Sequence, residues 1–139
     1  MIAYFDTSSL VPLLVDEPGS EIAGRLWIEA DRLVSARLLY PEARAALANA
    51  ERTRRITAAD LRTAVLDLDK LLLQVEAVEV THSLAHRAGE LAQIHALRGY
   101  DAVHLAAAES IADADLVLVA GDADLLEAAT TLGMATATT

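Results

Sequence analysis

The sequence predicts an α/β fold, a three-layer sandwich in which a short, mostly parallel central sheet is flanked by helices, built as one domain over residues 1–139. Three observations carry this expectation. Short apolar runs suited to buried strands alternate with segments of helical periodicity along the whole chain. The run Leu116-Val117-Leu118-Val119 is apolar without alternation, the pattern of a strand covered on both faces of a parallel sheet. Hydrophobic residues make up 54% of the chain but aromatic residues only 4%, so the core is made mainly of Ala, Leu and Val, which suits closely packed helices.

Taken in order, Ile2-Ala3-Tyr4-Phe5 reads as a first buried strand, and Thr7-Ser8-Ser9 as the start signal of a helix carrying Leu10, Leu13 and Leu14. Asp16-Glu17-Pro18-Gly19-Ser20 is a break, and Ile22, Leu26 and Ala30 mark a short second helix. Leu33-Val34 is a second strand, followed by helix from about Arg37 to Arg55 that starts at Ser35 or at the Pro41 turn. Thr57-Ala58-Ala59-Asp60 resembles a capping box, opening an amphipathic helix through Leu61, Val65, Leu68 and Leu72. Val78-Glu79-Val80-Thr81 is the next strand, handing over to a helix with Leu84, Ala88, Leu91, Ala92 and His95, for which Gly99 is the expected stop. Ala102 to Ala112 is apolar on nearly every side, as in a helix buried mid-domain. Beyond the strand at Leu116 a last helix runs through Leu125, Leu126 and Ala129, and Met134-Ala135-Thr136 adds an edge strand.

Composition excludes several classes of function. With no cysteine there is no thiolate zinc site, thiol catalysis or disulfide framework, and a cytoplasmic location is the expected one. No secretory leader is expected, because Asp6 breaks the first apolar run, and no apolar stretch is long enough to span a bilayer. Neither a Walker sequence nor a G-x-G-x-x-G loop is present. A net charge of −10 argues against holding nucleic acid by overall charge, while leaving room for an enzyme that reaches phosphates through bound cations. Lys70 is the single lysine, so Arg carries nearly all phosphate contact.

Most of the 21 acidic residues lie on polar helix faces, but four do not. Asp6 and Asp122 each follow an apolar strand and precede a helix, at the strand ends where open α/β sheets place their ligands. Asp101 heads the buried helix, and Glu42 lies beside Ala45-Ala46-Leu47. Taken singly, each acid is also explained by the helix macrodipole, worth about 0.3–1 kcal/mol. Recurrence at four places is what that explanation leaves over. Converging carboxylates about 4 Å apart repel by ~4 kcal/mol at an effective dielectric of 20, so they take up protons or bind a cation. Oxygen-only ligands select hard ions, Mg²⁺ or Mn²⁺.

These residues resemble the PIN-domain nucleases, and among them the VapC-type toxins of toxin–antitoxin pairs. The likeness rests on Tyr4-Phe5-Asp6-Thr7-Ser8-Ser9-Leu10-Val11, on Glu42 with Ala45-Ala46-Leu47, on Tyr100-Asp101-Ala102-Val103-His104-Leu105-Ala106-Ala107-Ala108, and on Val119-Ala120-Gly121-Asp122-Ala123-Asp124-Leu125. It implies that Asp6, Glu42, Asp101 and Asp122 hold Mg²⁺ or Mn²⁺ for cleavage of RNA, with Asp124 assisting or replacing Asp122. It also implies a homodimer and a cognate VapB-like antitoxin whose arm covers the acidic site with a basic side chain. Ala120 departs from the pattern, where many relatives carry Thr or Ser before the acid.

Other residues have competing readings. His104 shares a helix face with Asp101 and is expected as a packed, hydrogen-bonded core histidine ahead of a general base. His82, His86 and His95 are expected at the surface or boundary. Arg52, Arg54 and Arg55 suit a helix C-terminus, with RNA phosphates or an acidic partner as the functional reading. Arg44 has Glu51 or Asp31 as its candidate partner. Thr7 and Ser8 are expected to cap the first helix, with hydroxyls near the site as the alternative. Two rival functions stay open: a phosphatase using Asp6 as nucleophile, for which Ser8 stands where a second acid is needed, and a non-enzymatic binding module, disfavoured by four intact acids.

Overall fold

The computed structural model describes residues 1–139. Five strands, β1 (Ile2–Phe5), β2 (Arg32–Ala36), β3 (Val75–Val78), β4 (Leu116–Ala120) and β5 (Ala135–Thr138), form one sheet in the order β3-β2-β1-β4-β5, every neighbouring pair parallel. Seven helices connect and cover them: α1 (Thr7–Leu10), α2 (Ser20–Glu29), α3 (Leu39–Arg52), α4 (Ala58–Leu72), α5 (His82–His95), α6 (Gly99–Ile111) and α7 (Ala123–Thr131). The three-layer α/β sandwich is therefore present, with a wholly parallel sheet.

The two-residue period of a strand explains the layers. In β1, Ile2 and Tyr4 face a 19-residue apolar cluster with α5, α6 and α7, whereas Ala3 and Phe5 face a 12-residue cluster with α2, α3 and α4. Both faces are buried, which is why the strand shows no polar alternation. The small side chains Ala102, Ala106, Ala107 and Ala108 let α6 lie buried beneath α5 and against the sheet. Trp27 meets Phe5 edge-on at 5.1 Å between ring centroids on the opposite side.

Three local expectations are corrected. The third strand is Val75–Val78, not Val78–Thr81. Val75 pairs with Leu33 and Val78 with Ala36, while Thr81 leaves the sheet to cap α5 by accepting from the Leu84 N–H. Helix α5 ends at Ala96, which takes the left-handed conformation (φ 53°), and Gly99 instead opens α6. The first helix is capped by Asp6, whose carboxylate accepts from the Ser9 N–H; Thr7 and Ser8 follow inside it. Helix α3 starts after Leu38, so Pro41 falls in its first turn, where a missing N–H is harmless. The capping box on α4 is formed by Thr57 and Asp60 as expected.

Candidate active site

The strand order reverses at β1. The chain runs from β1 outward through β2 to β3, then returns to the other side of β1 for β4 and β5. A crevice must open above the strand ends at such a switch point, because the connections leave in opposite directions. Asp6 ends β1 and Asp122 follows β4, so they flank that crevice. Asp101 enters from the first turn of α6 and Glu42 from the first turn of α3. All four line one cleft of about 550 Å³.

Each acid is held by a different device. Asp6 is 3% exposed and receives both the Ser8 hydroxyl (2.8 Å to either oxygen) and the Ser9 N–H (3.0 Å). Ser8 in turn accepts from the Gly121 N–H at 2.8 Å, tying the end of β1 to the end of β4. Glu42 receives the Thr7 hydroxyl (2.9 Å) and faces His104 Nε2 at 2.6 Å. His104 is 1% exposed, with Nδ1 2.9 Å from the Tyr4 hydroxyl. Burial pushes the Tyr4 phenol well above its ordinary pKa, so its hydroxyl keeps its proton, and the His104 ring lies between Tyr4 and Glu42 with one nitrogen toward each. Asp122 caps α7 through the Leu125 N–H, 3.0 Å from Oδ1.

The fifth group in the cleft is Arg98. Its Nε donates to Asp101 (2.8 Å), an Nη donates to Asp122 (3.2 Å), and its guanidinium lies 4.9 Å from the centre of the Tyr100 ring. With Arg98 between two of the acids, no three carboxylate or imidazole groups close on one point. The cleft's demand for positive charge shows in the protonation balance. Burial raises the Asp6 pKa against the opposing effects of His104 and of hydrogen bonds from Ser8 and Ser9. Burial likewise raises Asp101, with Asp122 adding to the rise and Arg98 opposing it. The donor set is all oxygen and anionic, and a cation already sits among it, so Asp6, Asp101, Asp122 and Glu42 fit a hard divalent ion in charge and donor type.

The structure thus brings together Asp6, Glu42, Asp101 and Asp122 and leaves Asp124 exposed in the first turn of α7, outside the cleft lining. Thr7 and Ser8 are site hydroxyls, not caps. His104 is both the expected core histidine and the support of Glu42. Arg55 lines the cleft and pairs with Glu17 at 2.7 Å, whereas Arg44 joins neither Glu51 nor Asp31 and donates instead to the Tyr40 hydroxyl at 2.8 Å. His82 and His86 are exposed, with rings 4.3 Å apart. Lys70 pairs with Asp67 on the α4 surface, away from Asp6. Sequence reasoning missed Arg98 and Tyr100; the spacing of Arg98 and Asp101, three apart at a helix start, was the available signal.

A wholly parallel α/β sheet with a buried carboxylate cluster at its switch point defines a class: small acidic-cleft domains suited to cation-assisted chemistry on an anionic substrate. A family model described as PIN domain matches residues 3–130, and the chain belongs to the PIN-domain family, on its VapC branch. It is 45% identical over 121 residues to ribonucleases VapC45 and VapC49 of Mycobacterium tuberculosis strains CDC 1551 and H37Rv, covering 87% of this chain and 84% of each relative. Among solved structures it is similar to PAE2754 from Pyrobaculum aerophilum (TM-score 0.73, 26% identity, 98% of this chain and 83% of that one). It shares its fold with the M. tuberculosis VapC20 toxin, described as cleaving the sarcin-ricin loop (TM-score 0.71, 20% identity, 95% of both chains).

Proposed function

We propose that this protein is a Mg²⁺- or Mn²⁺-dependent endoribonuclease and the toxin half of a toxin–antitoxin pair. The observation that carries the reading is the convergence of Asp6, Glu42, Asp101 and Asp122 on one cleft at the strand ends. The ribonuclease names of relatives at 45% identity support it. Asp6, Asp101 and Asp122, with Glu42, would hold the ion; Asp124 stands outside this set. When bound, such an ion supplies Lewis acidity, polarising a phosphoryl oxygen and lowering the pKa of an attacking water.

The chain's own residues do the rest. Ser8 and Ser9 hold the Asp6 carboxylate in one orientation, and Thr7 with His104 holds that of Glu42, so the acids are positioned before substrate arrives. Arg55 and Arg98 are the cleft's cations and the candidate contacts for RNA phosphates on a chain of net charge −10.

The partner half of the proposal has support in a second cavity. A groove of about 680 Å³ between α3 and α4 has an apolar floor of Ala48, Leu61, Val65 and Leu66 and is flanked by Arg44 and Arg62. Ala45 lines both this groove and the acidic cleft. An antitoxin segment lying apolar-side down in the groove therefore leads into the cleft, where a basic residue would meet the acids. A homodimer belongs to the same reading.

The test is cleavage of RNA by purified protein with Mn²⁺, Mg²⁺ or chelator, beside Asp6→Asn and Asp101→Asn, with sequencing of new RNA 5′ ends after brief expression. Cleavage that depends on the ion and vanishes in both variants is expected. No new 5′ ends above the Asp6→Asn control would remove the nuclease reading.

A further inference from the structure

Asp6 receives hydrogen bonds from Ser8 and Ser9, and Glu42 from Thr7 with His104 beside it; neither carries an arginine. Asp101 and Asp122 do carry one, Asp122 in addition to the Leu125 N–H on its Oδ1. Their Oδ2 atoms both turn to the one Arg98 guanidinium, which bridges the first turn of α6 and the cap of α7. The two aspartates are largely buried, with side chains 11% and 25% exposed, while Arg98 is 62% exposed. It precedes α6 and makes no side-chain cap there, so moving it breaks nothing in the helix. The guanidinium already lies over the Tyr100 ring, 4.9 Å from its centre, a cation–π contact that does not depend on the two carboxylates.

We propose that Arg98 is a resident cation that competes with the divalent ion for Asp101 and Asp122, and that ion binding requires it to swing off both carboxylates. This inference rests on the metal-dependent reading above. A guanidinium 2.8 and 3.2 Å from the two carboxylates occupies lone pairs that they would otherwise offer to a divalent ion. A divalent ion placed beside it adds repulsion between like charges at close range. Arg98 therefore stabilises the ion-free protein and weakens ion affinity, because whatever favours the ion-free state must be undone on binding.

The experiment compares Mn²⁺ binding by titration calorimetry, without RNA, in the wild type, Arg98→Gln, Arg98→Lys and Arg87→Gln. Arg87 pairs with Glu109 and Glu90 on the α5–α6 surface, so its loss makes the same change in net charge outside the cleft. Arg98→Gln is expected to bind Mn²⁺ roughly three- to tenfold more tightly than Arg87→Gln, the size that two partly exposed ion pairs carry. Arg98→Lys, which keeps the charge, is expected near the wild type. Melting without metal guards against misfolding: Arg98→Gln should melt cooperatively, slightly below the wild type, and gain more from Mn²⁺. Equal Mn²⁺ affinity of Arg98→Gln and Arg87→Gln would overturn the competition while leaving the metal site standing. Absence of Mn²⁺ binding in every protein would overturn the metal reading itself, and this inference with it.

Discussion

On the outer face of the α5–α6 pair, Arg87 donates to Glu109 at 2.7 and 2.9 Å and to Glu90 at 2.9 Å; at the mouth of the cleft, Arg98 donates to Asp101 and Asp122 at 2.8 and 3.2 Å. The two motifs look alike, one arginine shared by two acids, yet Glu109 in one and Asp101 in the other respond in opposite directions. The hydrogen bonds from Arg87 hold the Glu109 carboxyl below its ordinary pKa, whereas Asp101 is raised despite Arg98. Burial makes the difference. Glu109 keeps solvent on one side and has no acidic neighbour at the same cost, while Asp101 lies under the cleft wall beside Asp122. An arginine completes the surface motif and leaves the cleft motif still short of positive charge.

The largest expected effect separates the two motifs by activity. Asp101→Asn should lower RNA cleavage at least ~100-fold in a single-turnover assay, as for a group acting at the reacting centre. Glu109→Gln should cleave like the wild type. Comparable losses in both would dissolve the contrast.

Next in size is the Tyr4–His104 chain beneath the acids. His104→Ala removes a side chain that is 1% exposed and leaves the buried Tyr4 hydroxyl without its partner. A destabilisation of about 2–4 kcal/mol in denaturant unfolding is expected from the lost packing and the orphaned donor. Tyr4→Phe, which removes the hydroxyl alone, should lower stability by about 1 kcal/mol.

The pH dependence of stability sharpens the comparison further. Raised native pKa values at Asp6 and Asp101 mean that their contribution is fully present below the usual carboxylate range and is lost as pH rises through those raised values. Asp6→Asn keeps a capping side chain without the charge, so at neutral pH it should melt above the ion-free wild type, with the gap closing in acid. Glu109 has the reverse sign. Its lowered pKa gives stability above the usual glutamate range that disappears as pH falls, so Glu109→Gln should melt below the wild type at neutral pH and match it in acid. The smallest effect expected is Arg87→Gln, less than about 1 kcal/mol in denaturant unfolding, because the two pairs it breaks are partly solvated.

How far the site could be read from sequence follows the same division between strand ends and the groups around them. Asp6 and Asp122 were legible because an apolar strand runs directly into each, and Asp101 because it heads a helix without a polar face. The strand order at the switch point then brings them together. Arg98 was missed although its spacing from Asp101 was visible, because its second partner, Asp122, is brought beside it only by the fold. The third strand was shifted by three residues because the apolar–Glu–apolar triplet occurs twice, at Val75-Glu76-Ala77 and at Val78-Glu79-Val80, and pairing with Leu33 decides between them. The stop of α5 was misplaced because glycine is the ordinary left-handed residue, whereas here Ala96 takes that conformation.

The pairing of β1 with β4 joins Ile2 to Leu116 and Phe5 to Val119, across most of the chain's length. Synthesis adds about 5–20 residues per second, so Asp6 is made well before the strand that closes the crevice. Until then β1 has one neighbour, the wall that carries Asp122 does not exist, and the Ser8 to Gly121 tie cannot form. The topology therefore acts as a translational delay: the acidic cleft assembles only after β4 and the Asp122 cap of α7 have been made.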